Sequence, residues 1–265
     1  MFEQQVTLQK GLARRLAAAF DGHDVVLPSS EELPSNIDEA ERIEDLILAR
    51  LGGIGGYKLG ATIAQVRATL GLPRAFFGPT PASRIFADGA EIPAAVARQR
   101  GVESEYAFRL ARDLMDADAG LDAAGLRAAI GSVHAAIEVP GSRFAGLGAH
   151  GGFALVADAG AVGSLVVGGG QPLGDPARLD DAPVILEIEG QEPVRGGGAI
   201  IDGGPFGPLL GFVRSALARG YALKAGQVIV SGSCTGYVEV PVGRRVTAHF
   251  PALGTSASLR FAGVA

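Results

Sequence analysis

The ten residues Gly101-Val-Glu-Ser-Glu-Tyr-Ala-Phe-Arg-Leu110 read as a β-strand, carrying Val, Tyr and Phe and no proline. On a strand, Glu103 and Glu105 stand at i and i+2 and project from the same face. Two carboxylates on one face repel unless solvent or a cation separates them. The stretch is therefore either a solvated acidic face or part of a cation site.

Outward from this strand, strand-like runs recur at 56–60, 132–139, 161–167, 184–189, 227–231, 236–240, 246–250 and 256–261. Helical patterning covers 5–20, 38–51, 62–70, 122–130 and 207–219. The helix at 38–51 is acidic in its first turn and closes on Arg50, which suits the helix dipole. Asp88-Gly89, Glu189-Gly190 and Asp202-Gly203 mark turns. Strands and helices do not alternate regularly, which argues against a doubly wound sheet, and no solenoid period is present. We expect an α+β chain rich in antiparallel strands. Residues 1–55 would form a helical N-terminal lead and 56–265 a β-rich body, as one structural unit.

Composition narrows the class. Of 265 residues 48% are hydrophobic and 19% charged, enough apolar material for a sizeable core and against disorder. A net charge of −5 argues against nucleic-acid and anionic-membrane partners. No apolar run is long enough to span a bilayer, and the first residues lack a signal-like apolar region, so a cytoplasmic protein is expected. The one cysteine, Cys234, excludes an internal disulfide framework and a cysteine-based zinc cluster.

Glu138 lies in the otherwise apolar strand Val133-His-Ala-Ala-Ile-Glu-Val139, where an unpaired buried carboxylate is expensive. Arg143 is one candidate partner. The alternative is convergence of Glu103, Glu105 and Glu138 on one cation. Without a cysteine or a suitable histidine pair that site is all-oxygen, which selects Mg²⁺ or Mn²⁺ over zinc or copper. The four histidines, His23, His134, His150 and His249, show no ligand spacing.

Lys58, in Ile54-Gly-Gly-Tyr-Lys-Leu-Gly60, is one of only three lysines against 20 arginines. It either snorkels from a strand to water or handles a proton beside a carboxylate or metal site. Ser231-Gly-Ser-Cys-Thr-Gly236 resembles a nucleophile elbow centred on Cys234, but Tyr237-Val-Glu-Val240 continues as strand where an elbow needs a helix. A turn whose hydroxyls and amides bind an anionic group fits better. Gly146-Leu-Gly-Ala-His-Gly151 matches G-x-G-x-x-G without the βαβ unit of a dinucleotide site.

Taken in order, Gly56-Tyr-Lys-Leu-Gly60, Val102-Glu-Ser-Glu105 with Ala107-Phe108, Ile137-Glu-Val139 with Gly141-Ser-Arg143, and Val230-Ser-Gly-Ser-Cys-Thr-Gly236 resemble the 2-keto-4-pentenoate hydratase and 4-oxalocrotonate decarboxylase group of the fumarylacetoacetate hydrolase superfamily. The resemblance runs from about residue 8 to the C-terminus. It implies a β-rich mixed-sheet roll behind a helical lead. It also implies a divalent metal, Mg²⁺ or Mn²⁺, held by Glu103, Glu105 and Glu138, with Lys58 beside the substrate. Ser233, Thr235 and Asp158 are the expected substrate-binding residues. The implied substrates are 2-hydroxydienoates and their 2-keto tautomers from aromatic-compound breakdown. The implied reaction is hydration, with decarboxylation, C–C hydrolysis or a non-catalytic partner subunit as alternatives. Homo-oligomers and complexes with a pathway enzyme are expected of such proteins. Three positions depart from the group: Phe76-Phe77 stands for a common Asp-Phe, Asp158-Ala159 for Asp-Asn, and Gly204-Pro205 lacks a polar residue before the proline.

Overall fold

The computed structural model describes residues 2–22, 24–93 and 96–263. His23 lies outside them. The chain opens with α1 (Phe2–Ala18) and α2 (Ile37–Leu48). Asn36 caps α2 by accepting from the Glu39 amide at 3.0 Å, and Glu39 returns a carboxylate to the Ser35 amide at 2.8 Å. Strand β1 (Ile54–Gly60), α3 (Ala64–Leu70), β2 (Phe76–Pro81), β3 (Ile85–Ala87) and β4 (Ala90–Ile92) follow. The body continues through β5 (Gly101–Leu110), α4 (Ala123–Ala129), β6 (Ile130–Val139), α5 (Gly151–Ala157), β7 (Ser164–Pro172), β8 (Pro183–Ile188) and β9 (Val194–Gly197). It ends with α6 (Gly207–Ala218), β10 (Val228–Val230), β11 (Val238–Glu239), β12 (Arg245–Phe250) and β13 (Thr255–Phe261).

Two sheets form. The larger runs β2-β1-β10-β5-β6-β7-β3, with β11 also on β5; the smaller runs β4-β13-β12-β8-β9. β1–β10, β3–β7 and β13–β4 are parallel and the other pairs antiparallel, so the sheets are mixed. On β5, Val102, Tyr106 and Phe108 face the main core, where the Tyr106 ring meets Phe250 of the smaller sheet at 4.8 Å. The opposite face of the larger sheet carries a small cluster of Ala107, Ala136, Leu165, Val228 and Val230, with Ile85 against it. Ile85, on the last strand of the order, also packs on β1. A Cβ at Gly55 would come within 2.8 Å of its Cδ1, so the glycine permits the close approach. The sheet thus curls back on itself as a roll, with this cluster inside.

A second core joins Leu12, Leu16, Ile43 and Ile47 of the N-terminal helices to Phe76, Phe144 and Val156 of the body. Several expectations needed correction. β2, β3, β4, β9 and α5 were not anticipated. β2 carries Pro79 and Pro81 and lies at the sheet edge, where a missing N–H is tolerated. α5 is seven residues long, too short to show a period. The strand expected at 161–167 starts at Ser164 because Ala159, Gly160 and Ala161 all take left-handed backbone, with φ of 50°, 62° and 53°.

Candidate active site

The register of β5 on β6 sets Glu103 opposite Glu138 and Glu105 opposite Ala136. All three carboxylates then point into the roll, beyond the floor made by Ala107, Ala136 and Val230. One oxygen from each lies within 4.8 Å of the others. Glu105 and Glu138 have no exposed surface. β10 lies between β1 and β5, and across it Lys58 reaches Glu138, Nζ to Oε1 3.1 Å, its side chain 7% exposed. The lysine does not snorkel, and it supplies the partner expected of Arg143.

Three carboxylates and one ammonium leave two negative charges in a buried space. Burial and then Glu138 push the Glu103 carboxyl up to about 7; burial, Glu138 and Glu103 push Glu105 well above the usual carboxylate range. Burial pulls Lys58 down, but Glu138, Glu103 and Glu105 outweigh it and hold the ammonium. Among the described residues, Glu105 Oε1 and Glu138 Oε2 accept no hydrogen bond. Buried, unpartnered carboxylate oxygens facing one another with excess negative charge fit a hard divalent cation.

Ser231–Gly236 forms a turn whose Gly232 amide donates to Glu105 Oε2 at 2.8 Å. The anion this turn binds is thus a residue of the site itself. Gly232 needs its φ of +91°, and a Cβ there would strike Thr62 Oγ1 at 2.2 Å. The Ser233 hydroxyl lies beside Glu103 and draws its pKa down. Thr235 Oγ1 accepts from the Ser104 amide at 3.2 Å. Cys234 is buried, and burial with Glu105 raises its thiol far from a thiolate.

Asp158, expected at the substrate, is fully buried at the end of α5 instead. Its carboxylate accepts from Arg143 Nε at 2.6 Å, the Arg143 amide at 2.9 Å and Ser142 Oγ at 2.8 Å. With both carboxylate oxygens taken by these donors, it ties the loop after β6 to α5. The departures have local causes. The Phe76 ring stands against Gly60 and 5.5 Å from Lys58 Nζ. Gly204 takes φ +71°, which strains any side chain, and a Cβ there would have to displace the Asp180 carboxylate, whose Oδ1 would lie 1.9 Å away. Sequence reasoning missed Tyr237, whose ring covers Gly101 beside Glu103; a glycine opening an otherwise bulky strand was the available signal.

A mixed-sheet roll of this kind is the fumarylacetoacetate hydrolase type of fold. 4-Oxalocrotonate decarboxylase from Pseudomonas putida G7, solved with magnesium and adipate, superposes with a TM-score of 0.83 at 24% identity, covering 99% of this chain and 98% of that one. Fumarylpyruvate hydrolase from Pseudomonas aeruginosa, solved with Mn²⁺ and pyruvate, has a TM-score of 0.58 at 15% identity, covering 77% and 88%. No family model matches the chain. The 2-keto-4-pentenoate hydratase of Paraburkholderia xenovorans (strain LB400) is 30% identical over 251 residues, 92% of this chain and 91% of that protein. This chain belongs to the 2-keto-4-pentenoate hydratase family.

Proposed function

We propose that this protein is a divalent-metal-dependent lyase that adds water to a 2-hydroxy-2,4-dienoate through its 2-keto-4-enoate tautomers. The observation that carries this is the buried cluster of Glu103, Glu105 and Glu138 with Lys58 against it. The three carboxylates would hold the metal, Mg²⁺ or Mn²⁺. Bound there, a divalent cation supplies positive charge where the keto oxygen of a 2-keto acid gathers negative charge, and it relaxes the hold of the carboxylates on the Lys58 proton. Lys58 Nζ gives its proton to the far carbon of the dienol. As the ketone forms, the enol O–H proton returns to Lys58 and restores the ammonium; water then adds its oxygen to the β-carbon of the unsaturated ketone, and its proton ends on the α-carbon. Ser233 and Thr235 orient the substrate from the turn, and the buried floor of Ala107, Ala136 and Val230 excludes bulk water from the carboxylate side.

Decarboxylation on the same scaffold is the second reading, favoured by Phe76. Its ring stands beside Lys58, where hydration would use a polar group to activate water, whereas CO₂ loss needs none. One assay separates the two: 2-hydroxypenta-2,4-dienoate and its carboxylated analogue with Mg²⁺, following dienol absorbance and CO₂. Hydration consumes the dienol without CO₂, and EDTA abolishes it. Turnover of neither compound, with Mg²⁺ or Mn²⁺, would leave C–C hydrolysis of a related 2-keto acid or a non-catalytic partner subunit.

The helices of residues 1–55 form a lead on a catalytic body of 56–265; the shared core of Ile43 and Ile47 with Phe76 and Phe144 supports one unit. We expect a homo-oligomer, able to associate with a pathway enzyme. Exposed Val25, Leu27 and Val242 supply apolar surface for such contacts. Light scattering at micromolar concentration should give a multiple of 26.9 kDa, and a monomer mass would refute it. No helix among the described residues is long and apolar enough to cross a membrane.

A further inference from the structure

Tyr237 stands beside the carboxylates with no part in the chemistry above. It precedes β11, whose register sets Val238 opposite Val102 and Glu239 opposite Gly101. Its ring fills the space where a side chain of Gly101 would stand: a Cβ there would come within 2.1 Å of the ring Cζ and 2.4 Å of the phenol oxygen. Gly101, Glu103 and Glu105 share one face of β5. The ring therefore occupies the next place along that face after Glu103. Burial, then Glu239 and Glu103, raise the phenol above its usual pKa, so it remains neutral. The residue is 38% exposed.

Tyr237 also lines a cavity of about 490 Å³ with Gln99, Arg100, Gln191 and Glu239. Gln99 and Arg100 precede Gly101 along the chain, and Glu103 follows it. The ring thus divides the carboxylate cluster from a polar space that is open beyond it. Resting on the 2-keto acid reading of the cluster, we propose that Tyr237 is a specificity-determining residue: its ring is the end wall of the site and limits the chain length of the 2-keto acid admitted. A long substrate would need the space beyond the ring, and a short one would stop against it.

An aromatic ring over a glycine also stiffens a sheet edge. That role alone would change melting temperature and leave ligand preference untouched. The test is calorimetric binding of 2-oxobutanoate and 2-oxooctanoate in Mg²⁺, two saturated 2-keto acids that cannot be hydrated. The wild-type protein should favour the short ligand. Tyr237→Ala should reduce the ratio of the two dissociation constants by at least about 10-fold, the scale of a filled against an opened apolar pocket. Tyr237→Val, which keeps strand propensity ahead of β11, should do the same if the alanine variant folds poorly. Tyr237→Phe should keep the ratio, because the ring and not the hydroxyl forms the wall. A ratio in the Ala and Val variants within about twofold of wild type, well short of that 10-fold change, would overturn the wall and leave the keto-acid site standing. Failure of the wild-type protein to bind either ligand would overturn both.

Discussion

At the residue scale, Lys58 combines two roles that substitution separates. It neutralises Glu138 across 3.1 Å in a buried setting, and its proton is available to a substrate. Lys58→Ala should lower kcat by at least about 10²-fold, the usual worth of general acid–base help. In EDTA the same variant should also lose about 3–5 kcal/mol of stability, because a buried carboxylate is left unpaired. Lys58→Arg restores the charge but not a titratable proton, and should remain as inactive as the alanine variant. Stopped-flow turnover and thermal melts check the two effects independently. An arginine variant with near-normal kcat would reduce Lys58 to an electrostatic anchor.

Among the elements, α2 meets the body through a buried charge cluster that no strand pattern announces. Glu44 has no exposed surface, and its Oε2 accepts from Arg219 Nη2 at 2.8 Å. Asp45 pairs with the same guanidinium and with the Tyr221 hydroxyl, and Glu41 binds Arg74 at 2.5 Å. Burial raises Glu44 to about 8, although Arg219 pulls it down. A carboxyl whose folded pKa is raised binds its proton more tightly in the native state. Its stabilisation is complete below the ordinary carboxylate range and is lost as pH rises through about 8. Melting temperature should therefore fall between weakly acidic and weakly alkaline buffer, and Glu44→Gln should flatten that slope. A slope unchanged in the variant would place its origin elsewhere. The long elements were legible because burial imposes a period. β5, β6, α2 and α6 were read close to their observed bounds, as was the alignment of Glu103 with Glu105. The partner of Glu138 was not legible, because Lys58 reaches it across β10, about 170 residues later in the chain than β1. Asp158 was not legible either, for another reason: its partners Ser142 and Arg143 lie in an irregular loop after β6, and the left-handed Ala159 and Ala161 that follow it carry no sequence signal.

For the whole molecule, three facing carboxyl groups against one ammonium inside the roll set how stability responds to metal. Anything that binds only the folded state stabilises it by mass action, by about 2.7 kcal/mol at one hundred times Kd. Mg²⁺ or Mn²⁺ should thus raise the melting temperature by several degrees and EDTA should reverse the rise. Glu105→Gln should melt close to wild type in EDTA, since burial and its neighbours already favour the uncharged Glu105 carboxyl there, yet lose the metal response. A metal response that persists in that variant would remove Glu105 from the ligand set. The position of β10 has a consequence for biosynthesis. This three-residue strand lies between β1 and β5, which precede it by more than a hundred residues. Until residues 228–230 emerge from the ribosome, β1 and β5 each present an unpaired edge, and Lys58 has no scaffold holding it to Glu138. A nascent or truncated chain lacking its last fifth is open to edge-to-edge pairing with its neighbours. Polysomes carrying many such chains are where this protein would depend most on a chaperone.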